Sequence, residues 1–400
     1  MSPDPQGWSS RLRAIGAVLR DHRDVLAGRV VTPAPPPWCR DRGWDAFLLG
    51  LDARELERAE EQGLEAMLGE RADTPESLRS LAAEVARLTA VDDAPVPPPT
   101  VLPGVRARKR VQVASLLQLC ATEQLSPARI VDVGSGHGHL GRALAAALGV
   151  PALGIERDAG RIRAARALAT ATERYEEVQV TAERLSFTPG DLAVGLHACG
   201  DLGDALVVAA ARDGVDTLLV SCCLQKTRAQ ERTFLSVRGR SIGLVLPREV
   251  LGLSNLVARS SGVETSMGAI QRARQTRHAL HGLLRARGIE VERGEEARGI
   301  NRRRFQRGLG PVAEHALRAR GLAPPTEAEI RLHESRAAEE HGALRRLSLP
   351  RSVLGRAVEL AVVLDRAAFL EEAGHAVQVR AVFPAEASPR NIGILARGQW

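Results

Sequence analysis

A run of glycines between residues 132 and 140 is the first feature of the sequence that could bind a small ligand. It reads Asp132-Val-Gly134-Ser-Gly136-His-Gly138-His-Leu140. Glycine lets the backbone turn tightly and approach a ligand closely. A helix beginning near His139 would point its first amides at whatever binds there. The run therefore predicts a binding loop, with candidate contacts at Asp132, Gly134, Gly136 and Gly138.

An acidic residue follows the glycine run at the sequence spacing that a nucleoside-binding site requires. Glu156 ends a second short apolar run, 24 positions after Asp132. A carboxylate in that place can accept hydrogen bonds from both hydroxyls of a ribose. Arg157 comes next and is a further candidate contact. The two features together indicate a nucleoside cofactor.

The same glycines leave two kinds of cofactor open. Gly136, Gly138 and Gly141 also satisfy G-x-G-x-x-G, the pattern of dinucleotide-binding enzymes. Asp132, two residues before the first glycine, instead suits a cofactor with a cationic amino-acid group. It therefore favours S-adenosylmethionine over a nicotinamide dinucleotide. A chain that keeps the fold and has lost catalysis is the third alternative.

A second polar cluster, Leu196-His197-Ala-Cys199-Gly200-Asp201-Leu202, follows a later apolar run. Ligands of open α/β sheets lie beyond the carboxyl ends of the strands, so these side chains could touch the substrate. His197 or Asp201 could act as a general base or orient a nucleophile. Alternatively, Gly200-Asp201 is only a turn that caps the next helix.

Two adjacent cysteines, Cys222 and Cys223, close the next apolar run. Successive residues of a strand face opposite ways, so we expect the two thiols not to share a metal ion. The chain has five cysteines and no C-x-x-C pair, which also argues against a disulfide framework or an ordinary zinc site. We predict no metal site. Cys222 is placed at the mouth of the active site, and plain packing in the core is the alternative for at least one of the two thiols.

Strands and helices alternate around these motifs. Strands are predicted at 129–133, 152–155, 178–181, 192–197 and 217–221, and helices at 108–124, 139–148, 159–172 and 202–212. Such alternation predicts a parallel sheet that is covered by helices on both faces.

The last part of the sequence predicts a hairpin. A helix at 353–373 precedes strands at 375–383 and 391–396. The connection between the strands is too short for a crossover helix, so the pair must be antiparallel. Pro389 and its polar neighbours predict a tight turn, with substrate contact by Arg390 or Asn391 as the alternative. The fold class predicted is α/β, a class I methyltransferase (Rossmann-like) seven-stranded sheet with a C-terminal antiparallel hairpin.

Proline runs and a change of pattern suggest three regions. Residues 1–98 are expected to form a helical N-terminal domain, in which Asp52 and Glu55 make a capping box. Residues 99–225 and 350–400 form the methyltransferase domain. Residues 226–349 form an Arg-rich helical insertion.

The charge is concentrated in that insertion. The chain has a formal net charge of +7, and residues 271–308 hold 11 Arg and 4 Glu, so the remainder is about neutral. The segment Arg272–Arg307 could contact the phosphates of RNA, or it could be a solvated helical face. The sequence has no apolar run near the roughly 20 residues that span a bilayer, and its first ten residues are polar. We expect a cytoplasmic protein without membrane contact.

The motifs resemble, in the same order, those of the methyltransferase-like protein 25 family, which includes proteins named for an rRNA adenine dimethylase-like domain. The matching stretches are 131–140, 195–202, 222–223 and 388–391, with further matches at 108–110 and 364–366. The resemblance covers about residues 105–225 and 350–397, and more loosely 44–68. A more distant similarity to a tRNA 2′-O-ribose methylase family rests on the His-x-Cys-Gly and Cys-Cys patterns.

This resemblance implies a class I methyltransferase fold with an S-adenosylmethionine site at the residues of the glycine loop and Glu156. The family usually has His where this chain has Gln225, so a base or ligand role of that His is not carried over. We predict an S-adenosylmethionine-dependent RNA methyltransferase with catalytic candidates His197, Asp201 and Cys222. A protein side chain is the alternative substrate. A non-catalytic module that binds RNA or cofactor is the alternative from a different class.

Overall fold

The structure is a computed structural model that describes residues 7–69, 71–100, 102, 104–255, 267–291 and 295–398. Its internal contacts separate two compact units. The α/β unit comprises Met1–Ala27, Arg79–Arg259 and Arg351–Trp400, and the helical unit comprises Gly28–Leu78 and Ser260–Pro350. The grouping of 28–78 with 260–350 is not foreseen by the sequence, and the predicted domain boundaries at 98, 225 and 350 stay a prediction.

The helices, in chain order, are α1 (Gly7–Asp21), α2 (Arg23–Ala27), α3 (Pro37–Arg40), α4 (Asp45–Leu49), α5 (Ala53–Gln62), α6 (Glu65–Leu68), α7 (Glu76–Thr89), α8 (Ala107–Thr122), α9 (His139–Leu148), α10 (Ala159–Arg166), α11 (Asp201–Asp213), α12 (Val237–Arg240), α13 (Arg248–Leu251), α14 (Met267–Ala286), α15 (Leu309–Arg318), α16 (Glu327–Leu347) and α17 (Leu349–Glu372). Short 3-10 helices cover Gly252–Asn255, Glu295–Ala297 and Arg302–Arg307.

The strands are β1 (Arg129–Val133), β2 (Ala152–Glu156), β3 (Glu173–Glu177), β4 (Asp191–Leu196), β5 (Asp216–Val220), β6 (Glu231–Arg232), β7 (Leu246–Pro247), β8 (Ala376–Ala381) and β9 (Ile392–Arg397).

In the described part of the chain, seven strands form one sheet in the order β3-β2-β1-β4-β5-β9-β8. Strands β1 to β5 are parallel, and β9 runs antiparallel to both β5 and β8. Strand β4 is buried along its whole length, as expected where helices cover both faces of a parallel sheet. The predicted fold class, a class I methyltransferase sheet closed by an antiparallel hairpin, is confirmed.

An apolar core packs against this sheet. It contains Leu116 of α8, Leu140 and Leu144 of α9, Val194 of β4 and Leu218 of β5. The side chains of α9 recur at i and i+4, which is why one helix face can be apolar throughout. The core packs α8 and α9 against β1 and β4, and therefore helps to fix the loops that leave those strands.

Two predicted elements differ from the structure. The third strand is Glu173–Glu177 and not 178–181, and the helix before it ends at Arg166. The sequence favoured the apolar run at 178–181, but β3 is an edge strand in which only Tyr175 is buried. An edge strand needs few apolar residues, so its pattern is weak.

The helical unit contains a core of its own. Leu280, Leu283 and Leu284 of α14 pack with Val312 and Leu317 of α15. The capping box of Asp52 and Glu55 is present at the start of α5, as predicted. Among the described residues, no helix is both long and apolar enough to cross a bilayer.

A buried arginine connects the segments at the carboxyl ends of β4 and β5. Arg366 of α17 has no exposed side-chain surface. Its Nη2 donates to the carbonyl of Gly200 at 2.9 Å, its Nε donates to Asp204 at 2.8 Å, and its Nη1 donates to Ser221. Asp204 also pairs with Arg232. Because a buried guanidinium is stable only when its donors are satisfied, these contacts hold the three segments in one arrangement.

We expect Arg366→Met to lower the free energy of unfolding by about 3–5 kcal/mol, because it removes the cation from a buried, hydrogen-bonded pair. Arg184→Met is the matched control, since Arg184 is an exposed arginine of the same unit, and it should change stability by less than about 0.5 kcal/mol. Urea unfolding of both variants measures the difference. Equal midpoints would contradict the role given to Arg366.

Candidate functional site

The glycine loop after β1 has a conformation that requires glycine. Gly134, Gly136 and Gly138 have φ angles of 76°, 58° and 72°, a region that residues with a Cβ rarely adopt. The amides of Gly134 and Ser135 donate to the carbonyl of Ile155 at 2.8 and 3.0 Å. The loop is therefore fastened to β2 before it enters α9.

The glycine loop is crowded by side chains at Gly134 and Gly138 and is open at Gly136. A Cβ at Gly134 would lie 2.9 Å from Leu202, and one at Gly138 would lie 2.2 Å from the Tyr175 hydroxyl. A Cβ at Gly136 would meet no atom within 4 Å. Gly136 is thus the point at which a ligand can approach the backbone, and the loop fits the adenosyl cofactor that the sequence predicted.

Glu156 is oriented by backbone amides. Its Oε2 accepts from the amide of Gly136 at 3.1 Å, and its Oε1 accepts from Arg157 and Asp158 at 2.9 and 3.1 Å. The carboxylate is buried, with Arg161 at 3.5 Å as its ion pair. A carboxylate has about four acceptor positions, and three of them are used by these amides, so capacity remains for one ribose hydroxyl. Arg157 contributes to this arrangement through its backbone.

Asp132 lies at the carboxyl end of β1 with 3% of its surface exposed. Its Oδ2 accepts from the amide of Gly141 at 3.0 Å. Burial raises the pKa of Asp132 to about 6, and the charge of Lys109 opposes that rise. Burial also lowers the pKa of Lys109, and the charges of Asp132 and Cys222 oppose that fall. A buried acid that is costly to ionise is well suited to pair with a cationic ligand.

His197 leaves β4 in a left-handed conformation, with φ of 68°. Its amide donates to the carbonyl of Val220 at 2.8 Å, and its Nε2 lies 3.2 Å from Oε1 of Gln112. Burial, followed by the charge of Lys109, lowers the pKa of His197 to about 3. The ring is therefore neutral and weakly basic at neutral pH. These facts favour the predicted orienting role over that of a general base.

Asp201 is the first residue of α11, and Gly200 occupies the N-cap. The Asp201 carboxylate accepts from the amide of Arg228 at 2.8 Å, so it holds the chain that follows the paired cysteines. A Cβ at Gly200 would lie 1.9 Å from the carbonyl of Lys226, which explains the glycine. In the structure Asp201 acts as a positioning residue, and its predicted catalytic role remains a prediction.

The paired cysteines do not lie on a strand, so the argument that they face opposite ways is wrong. Strand β5 ends at Val220, and the chain turns beyond it. The Sγ atoms of Cys199 and Cys222 are 2.7 Å apart, and those of Cys222 and Cys223 are 3.6 Å apart. All three lie within 4.8 Å of one another. The amide of Cys223 donates to Sγ of Cys199 at 3.4 Å.

Several polar residues around this cluster were not singled out as site residues from the sequence. Gln112 and Lys109 come from α8, where buried polar residues within a helix were the available signal. Arg390, given in the sequence analysis only as an alternative contact, donates to Asn255 at 2.7 Å. Asn255 in turn donates to Gln225 at 2.9 Å. Gln225 therefore supports the position of Arg390.

Hydrogen bonds from the thiols of Cys199 and Cys222 lower the pKa of Cys223, and the charges of Arg390 and Lys226 act in the same direction. Ser388 accepts from Arg108 at 2.9 Å, so the hairpin turn is also joined to α8. Cationic and thiol groups thus meet beyond the carboxyl ends of β4 and β5.

Residues 108–230 match a family model that is described as a methyltransferase domain. The match contains the glycine loop, Glu156, His197, Asp201 and the paired cysteines. Together with the strand order, it identifies the α/β unit as an S-adenosylmethionine-dependent methyltransferase domain.

Solved structures similar to this chain include a tRNA (uracil-54, C5)-methyltransferase from Pyrococcus abyssi in complex with S-adenosyl-L-homocysteine. That similarity has 24% identity, covers 28% of this chain and 29% of the other, and has a TM-score of 0.22. Coclaurine N-methyltransferase is 10% identical, with 85% and 94% coverage and a TM-score of 0.26. A possible exported protein from Bordetella parapertussis is 15% identical, with full coverage of both chains and a TM-score of 0.28.

Coverage differs widely among these structures, and the chain spans less than two thirds of the length of the tRNA methyltransferase. All three TM-scores are below 0.5. The fold assignment therefore rests on the strand order and the family model.

We expect Gly136→Ala to weaken binding of S-adenosylmethionine about tenfold, because a methyl group forced into a fitted contact costs about 1–3 kcal/mol. Gly149→Ala is the matched control. Gly149 ends α9 with φ of 68°, and its Cβ would also meet no atom within 4 Å.

Both variants should lose about 1–2 kcal/mol of stability through backbone strain. Calorimetric titration and thermal melting separate the two effects. If both variants bind the cofactor alike, Gly136 is not the side that faces the ligand.

A pH dependence follows from Asp132. Because its pKa in the folded chain is about 6, above the ordinary value of 3.8, the ionised carboxylate destabilises the fold without ligand. Stability should fall as pH rises through this window, by up to roughly 3 kcal/mol. Affinity for the cationic cofactor should change in the opposite sense and weaken as pH falls below about 6.

Asp132→Asn tests both effects. At pH 7 the variant should be more stable than the natural chain and should bind S-adenosylmethionine more weakly. Its affinity should not change between pH 5 and 7. A natural chain whose affinity is constant over that range would refute the assignment.

Proposed function

We propose that this chain transfers a methyl group from S-adenosylmethionine to RNA. The proposal combines the methyltransferase domain of the α/β unit with a basic surface on the helical unit. The observation that carries the choice of RNA is a group of exposed arginines at the end of the basic segment. The resemblance to the methyltransferase-like protein 25 family supports the same choice.

Much of the charge in the basic segment is neutralised within the helical unit. Arg277 pairs with Glu296 at 3.1 Å, and Arg287 pairs with Glu329 at 2.6 Å. These arginines stabilise the packing of α14 and are poor candidates for phosphate contacts. The whole range Arg272–Arg307 is therefore too broad a description of the RNA-binding surface.

The remaining positive charge of the basic segment is concentrated near the 3-10 helix Arg302–Arg307. Arg303, Arg304 and Arg307 are exposed, and none of them forms a salt bridge with an acid among the residues that the structure describes. A pocket of about 310 Å³ lies here. Its lining residues are Arg304, Arg307, Pro311, Glu314, His315 and Arg318. Arg318 is partly neutralised by Glu314 at 2.6 Å.

Arginine is the side chain best matched to a phosphate, because its planar donors can bind two oxygens at once. A pocket with a histidine and two arginines that no described acid neutralises fits a backbone phosphate. We call Arg304, Arg307 and His315 the basic pocket.

The cofactor supplies the methyl group on a sulfonium ion, which is an activated leaving group. The chain then has to hold the acceptor in line with it, and such alignment alone contributes a large part of the rate. His197 is neutral and can receive or orient an acceptor group. A strong base is not required. Cys222 remains a catalytic candidate at the same edge.

The substrate class is tested by transfer of tritium from labelled S-adenosylmethionine to the RNA and protein fractions of a lysate from cells that lack the gene. We expect label in RNA. Label in protein alone would favour the alternative substrate, a protein side chain. Cofactor binding without transfer to either fraction would favour the non-catalytic module.

The basic pocket is tested by Arg304→Ala/Arg307→Ala. Each lost phosphate contact should reduce the slope of log K against log salt by about 0.7 for single-stranded RNA, so the double variant should lose about 1.4. Arg331→Ala/Arg336→Ala removes two charges from α16 of the same unit, where both arginines already pair with glutamates, and should leave the slope unchanged. Equal slopes for both variants would exclude the pocket from the RNA interface.

A further inference from the structure

The three clustered thiols have the composition and spacing of a metal site. Cys199 comes from the end of β4, and Cys222 and Cys223 follow β5. Their Sγ atoms all lie within 4.8 Å of one another, although 23 residues separate Cys199 from the pair. Sulfur ligands select thiophilic ions, and Zn²⁺ is the common divalent ion of this kind.

We propose that Cys199, Cys222 and Cys223 bind one Zn²⁺ ion and leave one of its coordination positions open. This site goes beyond the proposed methyl transfer to RNA and does not depend on it.

The distances fit one ion better than the alternatives. Zn–S bonds of about 2.3 Å at tetrahedral angles hold sulfurs about 3.8 Å apart. The pair Cys222–Cys223 is at 3.6 Å, and Cys199–Cys222 at 2.7 Å needs to widen by about 1 Å. A [4Fe–4S] cluster binds each cysteine to a different iron, which requires wider spacing. A disulfide would use two of the thiols and leave the third without a partner.

The surroundings suit the charge of such a site. Binding converts each thiol to a thiolate and releases its proton, so Zn²⁺ with three thiolates carries a net charge of −1. Lys109, Lys226 and Arg390 lie within electrostatic range of the sulfurs and can offset that charge. The amide of Cys223, which donates to Sγ of Cys199 at 3.4 Å, stabilises an anionic sulfur in the same way.

The fourth coordination position of the ion determines what the site can bind. In the described ranges of the chain, no further His, Cys, Asp or Glu joins the three sulfurs as a ligand. Zinc sites with three protein ligands keep a position for water or substrate, whereas closed sites with four are structural. The three sulfurs lie beyond the carboxyl ends of β4 and β5, the edge at which open α/β sheets bind ligands, so the ion would lie where a methyl acceptor is expected. An oxygen, nitrogen or sulfur acceptor could occupy the open position and be held there as a better nucleophile.

The test uses the full chain, stripped of metal with a chelator under reducing conditions and titrated with Zn²⁺ or Co²⁺. We expect one ion per chain after desalting, measured by mass spectrometry of the metal. Co²⁺ should give the intense visible bands of a four-coordinate site and sulfur-to-cobalt charge transfer. This spectrum needs no variant, so it does not depend on how a variant folds.

We expect Zn²⁺ binding to weaken on the order of 100-fold in each of the variants Cys199→Ser, Cys222→Ser and Cys223→Ser, because each variant lacks one of the three sulfur ligands. Cys39→Ser and Cys120→Ser are matched controls, since both remove a buried thiol outside the cluster, and they should retain one ion.

Three results would overturn the proposal: no stoichiometric ion in the folded natural chain, cluster variants that bind like the controls, or a purified chain 2 Da lighter because two of the thiols form a disulfide. These readouts concern metal binding and thiol oxidation, so they are independent of whether RNA is methylated.

Discussion

The buried guanidinium of Arg366 is the constraint on which the acceptor end of the site depends. It donates to the carbonyl of Gly200, to Asp204 and to Ser221, which belong to the two segments that follow β4 and β5. Gly200 directly follows Cys199, and Ser221 directly precedes Cys222. The position of one arginine on α17 therefore decides how closely the thiols approach. Asp365, its neighbour, binds the amides of Leu235 and Ser236 and so fixes the chain beyond the cysteines.

The cofactor end of the site is built on a different principle. There the backbone defines the geometry, because three glycines with positive φ shape the loop and backbone amides orient Glu156. Side chains contribute charge through Asp132 and Lys109, each of which opposes the shift that burial causes in the pKa of the other. One end is thus held by main-chain geometry and the other by buried ion pairs, so mutations should affect the two ends separately.

The sequence predicted the parts of the fold that follow local rules. Glycine spacing located the loop, and the short connection at 384–390 required an antiparallel hairpin, because both depend on nearby residues. It failed where the answer is set by distant contacts. Tyr175 makes an edge strand of an otherwise polar segment. The left-handed turn at His197 and the end of β5 at Val220 bring Cys199 to the paired cysteines, and no local pattern signals that approach.

The order of strands also has a consequence for biosynthesis. Val220 at the end of β5 pairs with Gly393 of β9, which is translated roughly 170 residues later. At about 5–20 residues per second, this edge of the nascent sheet waits roughly 10 to 35 seconds for its neighbour. Arg366, which joins the segments after β4 and β5, is delayed almost as long. During that interval the hydrophobic edge of β5 is a hazard for misassembly, and a chaperone that covers it would raise the yield of active chain.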